Sequence, residues 1–326
     1  MKNKKLNIRT DLASEALNLK RLDSKSEIYN KDKINIIKTI VDEKMSNKIG
    51  KKEGLYFELN IRECDILDTD DIKCIENVLS DVIKEMIEYE GININSAKCL
   101  IVGLGNSNVT PDALGPMVVD NVIVTRHMFM IAPNDVSDGI NNVCALSPGV
   151  MGTTGIETMD IIEGILKKIE IDYLIVIDAL ASSSVEKVNK CIQLSNTGIQ
   201  PGSGVGNRRK ELSKDSFGIP VIAIGVPTVV DAITISLNSI DKIIDYLIKK
   251  SEISDKETNI YKKEYFGKFA LLKKSEKEAL VYEVLKDEGI NMFVTPKEVD
   301  IDLKNLSDIV SSAIDKAIHP IISEGE

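Results

Sequence analysis

Residues 98–116 read KCLIVGLGNSNVTPDALGP and residues 172–182 read DYLIVIDALAS. Each is a short apolar run that breaks into small and turn-forming residues carrying an aspartate. Cys99–Val102 is expected as a strand, and the solid apolar run Tyr173–Ile177 suits a strand buried on both faces. Ile156–Ile169, between them, reads as a helix with a charged outer face. Beyond them, Cys191–Leu194 and Val221–Val226 are further strand candidates. Thr228–Lys250 then reads as a long helix, with Thr228 as N-cap and Asp231 completing a capping box. Strands alternating with helices predict an α/β fold, a mainly parallel or mixed central sheet with helices on both faces.

Working outward, Asp71–Glu90 is an amphipathic helix: Ile72, Ile75, Val78, Leu79, Val82, Ile83 and Met86 recur at helical spacing, and Gly91 stands at the C-cap. Residues 1–50 are polar and lysine-rich apart from Ile34–Ile40, and their first part is expected to be a mobile leader. Residues 251–295 lose the strand–helix rhythm and read as a small peripheral subdomain, followed by a closing helix near Leu303–Ile318 that ends at Pro320. The domain reading is a core over 12–250, with the start of the chain as its lead-in, and a peripheral insertion with closing helix over 251–326.

Composition narrows the function classes. Without an apolar run of 18 or more residues, no membrane span is expected, and the N-terminus lacks the apolar region of a secretory signal. A cytoplasmic protein is therefore expected. The net charge of −10 argues against direct nucleic-acid binding. The five cysteines include no CxxC pair, so reduced thiols are expected rather than a zinc or redox motif.

In open α/β sheets functional groups gather at the C-terminal ends of the strands. Three loops stand there: residues 103–116, residues 177–182, and the Gly-rich NTGIQPGSGVGNRRKELS, residues 196–213. The first begins like a dinucleotide fingerprint, but Asn108 occupies the third glycine position. The third could cradle phosphate but lacks a P-loop ending. A peptide or oxyanion held by backbone amides fits Gly202, Gly204 and Gly206 better. No GxSxG or HExxH motif occurs, so neither a serine nucleophile nor a metal site is supported. Of the two histidines, His319 is expected to be exposed and His127 to serve structure or surface. Carboxylates remain. Asp112 and Asp178 stand where strands give way to loops. Each can be a cap or turn former, or the two can face one another, share a proton and act as general acid and base.

The strings GLGNSNVTPDALGP, VIDALAS, TGIQPGSGVGNRRKELS and GIPVIAIGVPTVVDA together resemble the germination proteases of spore-forming bacteria. The similarity runs from the leader to about residue 250 and more weakly to FVTPKEVD, residues 293–300. It implies a three-layer core like that of hydrogenase-maturation proteases. The implied activity is that of an aspartic-type endopeptidase with Asp112 and Asp178 as the catalytic pair and no cofactor. Its implied substrates are small acid-soluble spore proteins, its site the forespore and spore core, and its assembly a homotetramer. Arg9–Ala16, RTDLASEA, resembles the substrate cleavage motif, so the resemblance implies a zymogen that removes residues 1–11 by a cut between Asp11 and Leu12. The acidic residue before the cut needs a cationic partner, for which Arg208 and Arg209 are candidates. Two other readings stay open: a metal-dependent maturation-type protease on the same fold, and a nucleotide- or phosphate-binding regulator built on the glycine loops.

Overall fold

The computed structural model describes residues 26–49, 51–202, 209–250, 267–287 and 292–323. Among them nine strands form one sheet: β1 (Ser26–Lys31), β2 (Ile34–Val41), β3 (Gly54–Asn60), β4 (Cys99–Gly103), β5 (Val143–Leu146), β6 (Tyr173–Ser182), β7 (Cys191–Ser195), β8 (Val221–Asp231) and β9 (Phe293–Val294). Their order is β1-β2-β3-β7-β8-β6-β4-β5, with β9 on the far end of β8. Strands β8, β6, β4 and β5 run parallel. Strands β1, β2, β3 and β7 pair antiparallel, and β7 joins β8 antiparallel. The sheet is therefore mixed, and its antiparallel half lies largely in a region where the sequence pattern announces only Ile34–Ile40.

Six longer helices complete the layers: α1 (Thr69–Tyr89), α2 (Leu114–Asn121), α3 (Thr158–Leu166), α4 (Ala232–Lys250), α5 (Lys274–Asp287) and α6 (Val299–Ile318). Helix α1 forms as its pattern predicts: the Asp68 side chain accepts from the backbone N–H groups of Asp70 and Asp71, and Gly91 at φ +71° takes the chain out of the helix. Its apolar face, with those of α2 and α6, packs on one side of the sheet against Phe57, Ile101, Ile175 and Ile224. Helix α3 covers the other side through Ile162, against Leu100, Val102, Leu174 and Val176. Alternate residues of β4 and β6 thus face two cores, which accounts for their unbroken apolar runs.

The sequence reading fails at three local points. Thr228 does not cap a helix. β8 continues through it to Asp231, because Val229 and Val230 pair with Ala181 and Ser182, and Asp231 then caps α4 by accepting from the Ile233 N–H. The helix expected over 156–169 is shorter, occupying α3 alone. His319 is fully buried rather than exposed: its Nδ1 accepts from the Asn141 N–H at 3.1 Å, and burial lowers its pKa. The closing helix is drawn into the core, and the histidine goes with it. Helix α5 packs on α4 at the periphery. No helix among the described residues is long and apolar enough to cross a membrane.

Candidate active site

The chain leaves β4 toward β5 through α2 on one face of the sheet. It reaches β6 through α3 on the other face and then moves away toward β7 and β8. The connections that leave the C-terminal ends of the adjacent parallel strands β4 and β6 therefore run to opposite sides, that of β4 toward β5 and that of β6 toward β7 and β8. That divergence marks a topological switch point, the place where open α/β sheets hold ligands. Asp112 lies in the loop that follows β4, and Asp178 lies in β6.

The loop that carries Asp112 is built by close backbone approach. The Leu104 N–H donates to the Ile177 carbonyl at 2.8 Å, carrying the β4–β6 ladder one step past Gly103. The chain then turns at Gly105, φ +112°, where any Cβ would overlap the Asp112 carbonyl. The Asn106 N–H donates to that carbonyl at 3.0 Å, and the Thr228 hydroxyl donates to the Pro111 carbonyl at 2.6 Å. The loop after β4 is thereby tied to β8 across β6. Asp112 sits half-buried in the short turn Thr110–Asp112, and loss of water pushes its pKa up to about 6, against the Asn106 backbone N–H, which lowers it.

Asp178 lies inside β6 rather than past its end, because the strand runs on to Ser182. It is 6% exposed, and its Oδ1 accepts from the Ala179 N–H at 2.9 Å. Its neighbour in register on β8 is Gly225, and the neighbour of Gly225 on β7 is Gln193. These residues share the face opposite the larger core. Beside them a cavity of about 280 Å³ is lined by Leu180, Gly225, Gln193, Ser195 and the start of the Gly-rich loop.

That loop is pinched at its base. Ile199 bridges Leu212, the Arg209 N–H donates to the Pro201 carbonyl at 3.2 Å, and Lys210 pairs with Asp160 of α3 at 3.0 Å. Gly202 occupies a turn at φ +70°, and the Arg209 Nη1 reaches the Met151 sulfur at 3.1 Å. Gly204, Gly206 and Arg208 lie outside the described residues, as do Asp11 and Leu12. His127 is exposed on a short helix. The five cysteines are free thiols, and no group of three or more His, Cys, Asp or Glu able to hold a metal gathers among the described residues.

Thr228, Gly225 and Gln193 are site residues that the sequence reading missed. A glycine inside the apolar run VIAIGV is the signal that was available, since such a glycine marks close approach. Here the Leu180 side chain lies over it.

Comparison with known proteins finds relatives over nearly the whole chain. The sequence profile of a family described as germination protease matches residues 4–262 and 247–326. The germination protease of Bacillus mycoides (strain KBAB4) is 42% identical, over 98% of this chain and 96% of its own. That of Bacillus cytotoxicus is likewise 42% identical, over 97% and 95%. Among solved structures, a nickel–iron hydrogenase maturation protease from Thermococcus kodakarensis is 18% identical, covers 45% of this chain and 80% of its own, and superposes with a TM-score of 0.27.

Proposed function

Because the chain belongs to the germination protease family, we propose that it is an endopeptidase that cuts small acid-soluble spore proteins with Asp112 and Asp178 as its working pair. What supports this reading is that the two carboxyl groups come from adjacent parallel strands, Asp112 from the loop after β4 and Asp178 from β6, and that burial raises the first to about 6. A carboxyl with that pKa holds its proton into mildly acidic solution and can give it up within a catalytic cycle.

Asp178, ionised, takes a proton from water as the water oxygen adds to the scissile carbonyl carbon. Asp112 gives its proton to the carbonyl oxygen. The tetrahedral species then collapses: the C–N bond breaks, Asp178 passes its proton to the leaving nitrogen, and Asp112 recovers one from a hydroxyl of the nascent acid. Arg208 and Arg209 read the acidic residue before the cut, and the glycines at 202, 204 and 206 present backbone amides to the substrate. In the same reading the protein is a homotetramer of the forespore and spore core. It is made as a zymogen that removes residues 1–11 between Asp11 and Leu12, ahead of a core over 12–250 and a peripheral part over 251–326.

N-terminal sequencing tests both halves of the proposal. Wild-type protein held at about pH 5.5 should acquire Leu12 as its first residue, while Asp112→Asn and Asp178→Asn keep Met1. Processing that proceeds equally in all three would refute the aspartate pair.

A further inference from the structure

Glu90 breaks two rules of its surroundings. It closes α1, where the aligned peptide dipoles disfavour a negative charge and the last turn carries no basic residue. Its side chain is 8% exposed, so the carboxylate is also largely withdrawn from water. The compensation comes from outside the helix. Oε1 accepts from the Asn196 Nδ2 at 2.6 Å, and Oε2 accepts from the Lys214 Nζ at 2.9 Å.

Those two partners have a definite place in the chain. Asn196 opens the Gly-rich loop, residues 196–213, directly after β7, and Lys214 is the first residue beyond it. One carboxylate thus holds both ends of the loop. The Ile199–Leu212 bridge closes the loop on itself, but a bridge inside the loop does not fix where the loop stands. Glu90 does, because α1 is anchored: Met86 and Ile87, in its last turn, are fully buried in the larger core. Asn196 is tied to β3 as well, its Oδ1 accepting from the Leu55 N–H at 2.8 Å. Lys52 also clasps the returning limb, through Asp215 at 2.7 Å and Glu211 at 3.1 Å. Those carboxylates are more open to water than that of Glu90, and such pairs hold weakly.

We infer that Glu90 is a positioning residue for substrate binding, setting where the Gly-rich loop stands beside the sheet face that carries Asp178. The inference rests on the reading of that loop as a substrate-binding element. A loop that spends only a fraction of its time in the binding position weakens apparent affinity by that fraction, while a complex once formed reacts at its own rate. Loss of the clamp therefore falls on KM rather than kcat. A carboxylate that served the fold alone would act otherwise. Its loss would lower Tm and the amount of active enzyme, which reduces the maximal rate and leaves KM as it was.

Cleavage of a peptide of residues 5–20 by the processed full chain tests this, with Arg209→Ala as a probe of the loop itself. Glu90→Ala, which frees both ends, is expected to raise KM about tenfold with kcat held within about twofold. Glu90→Gln keeps an acceptor for Asn196 and loses the charge that holds Lys214. It and Lys214→Met should each raise KM about threefold, and the two together no further, since both remove one interaction. Arg209→Ala should raise KM too. A KM unchanged by the Glu90 variants but raised by Arg209→Ala overturns the clamp and leaves the role of the loop standing. A KM unchanged in every variant overturns the loop reading and the clamp with it. A maximal rate that falls with Tm at constant KM also overturns the clamp, assigning Glu90 to the fold. Wild type that leaves the peptide uncut overturns the endopeptidase reading and this inference together.

Discussion

Replacing Asp315 by asparagine should stabilise the protein at neutral pH and leave it unchanged in acid. Asp315 is 7% exposed on α6, and its Oδ1 accepts from the Ile123 N–H at 3.0 Å, fastening the end of α2 to the closing helix. Burial pushes its pKa up to about 6 from the model-compound value of 3.8, with the Ile123 N–H opposing the shift. The folded pKa lies above the unfolded one. The carboxyl therefore favours the fold fully below about 4, and that contribution is lost as pH rises through about 6. Two pKa units correspond to about 3 kcal/mol between the protonated and ionised forms. Asparagine keeps an acceptor oxygen for Ile123 and carries no charge. At pH 7.5 the variant should gain up to about 3 kcal/mol, or roughly 4 °C in Tm for a chain of this length. At pH 4 the gain should vanish. Paired thermal or urea melts at the two pH values read this directly. A variant less stable at pH 7.5, or a gain of equal size at both, would refute the reasoning, since neither follows from a buried carboxylate.

Two other outcomes follow from the site. Thr228→Val keeps the shape and the strand preference but leaves the Pro111 carbonyl without its donor, so it should cost about 1–2 kcal/mol in urea melts. It should also slow peptide cleavage by more than that loss of fold explains, because the Asp112 turn loosens; full activity would show that the clamp does not position Asp112. The pH profile of kcat/KM should fall above about 6, since Asp112 is required in its protonated form; a rate that rises through that pH would assign Asp112 the opposite role.

Much of the fold could be read where one signal acted alone. Helix α1 has a clean apolar stripe and a terminal glycine, and it formed where these said, beginning two residues earlier at Thr69 because Asp68 caps it. The runs at Cys99 and Tyr173 became strands because each lies between two cores. The antiparallel half was harder. SEIYNK of β1 is an edge strand with little to bury, so nothing in its residues alternates strongly. At Thr228 two signals competed: a capping pattern lost to β-branched residues that had partners on β6. His319 misled because proximity to the C-terminus was taken for exposure, whereas α6 packs against α1 and α2 and carries its last residues inward. That Asp112 and Asp178 come from neighbouring strands depends on strand order, which no local pattern encodes. The sharing of one face by Gln193 and Asp178 depends on register, equally hidden in CIQLS.

The aspartate pair is tested most directly by comparing kcat on one spore-protein-like peptide for Asp112→Asn, Asp178→Asn and the double variant, each checked for wild-type Tm. Residues that act as one unit are expected to be non-additive, so each single change should abolish nearly all the rate and the second should add little. A single variant that stays folded and retains the wild-type rate would contradict the mechanism.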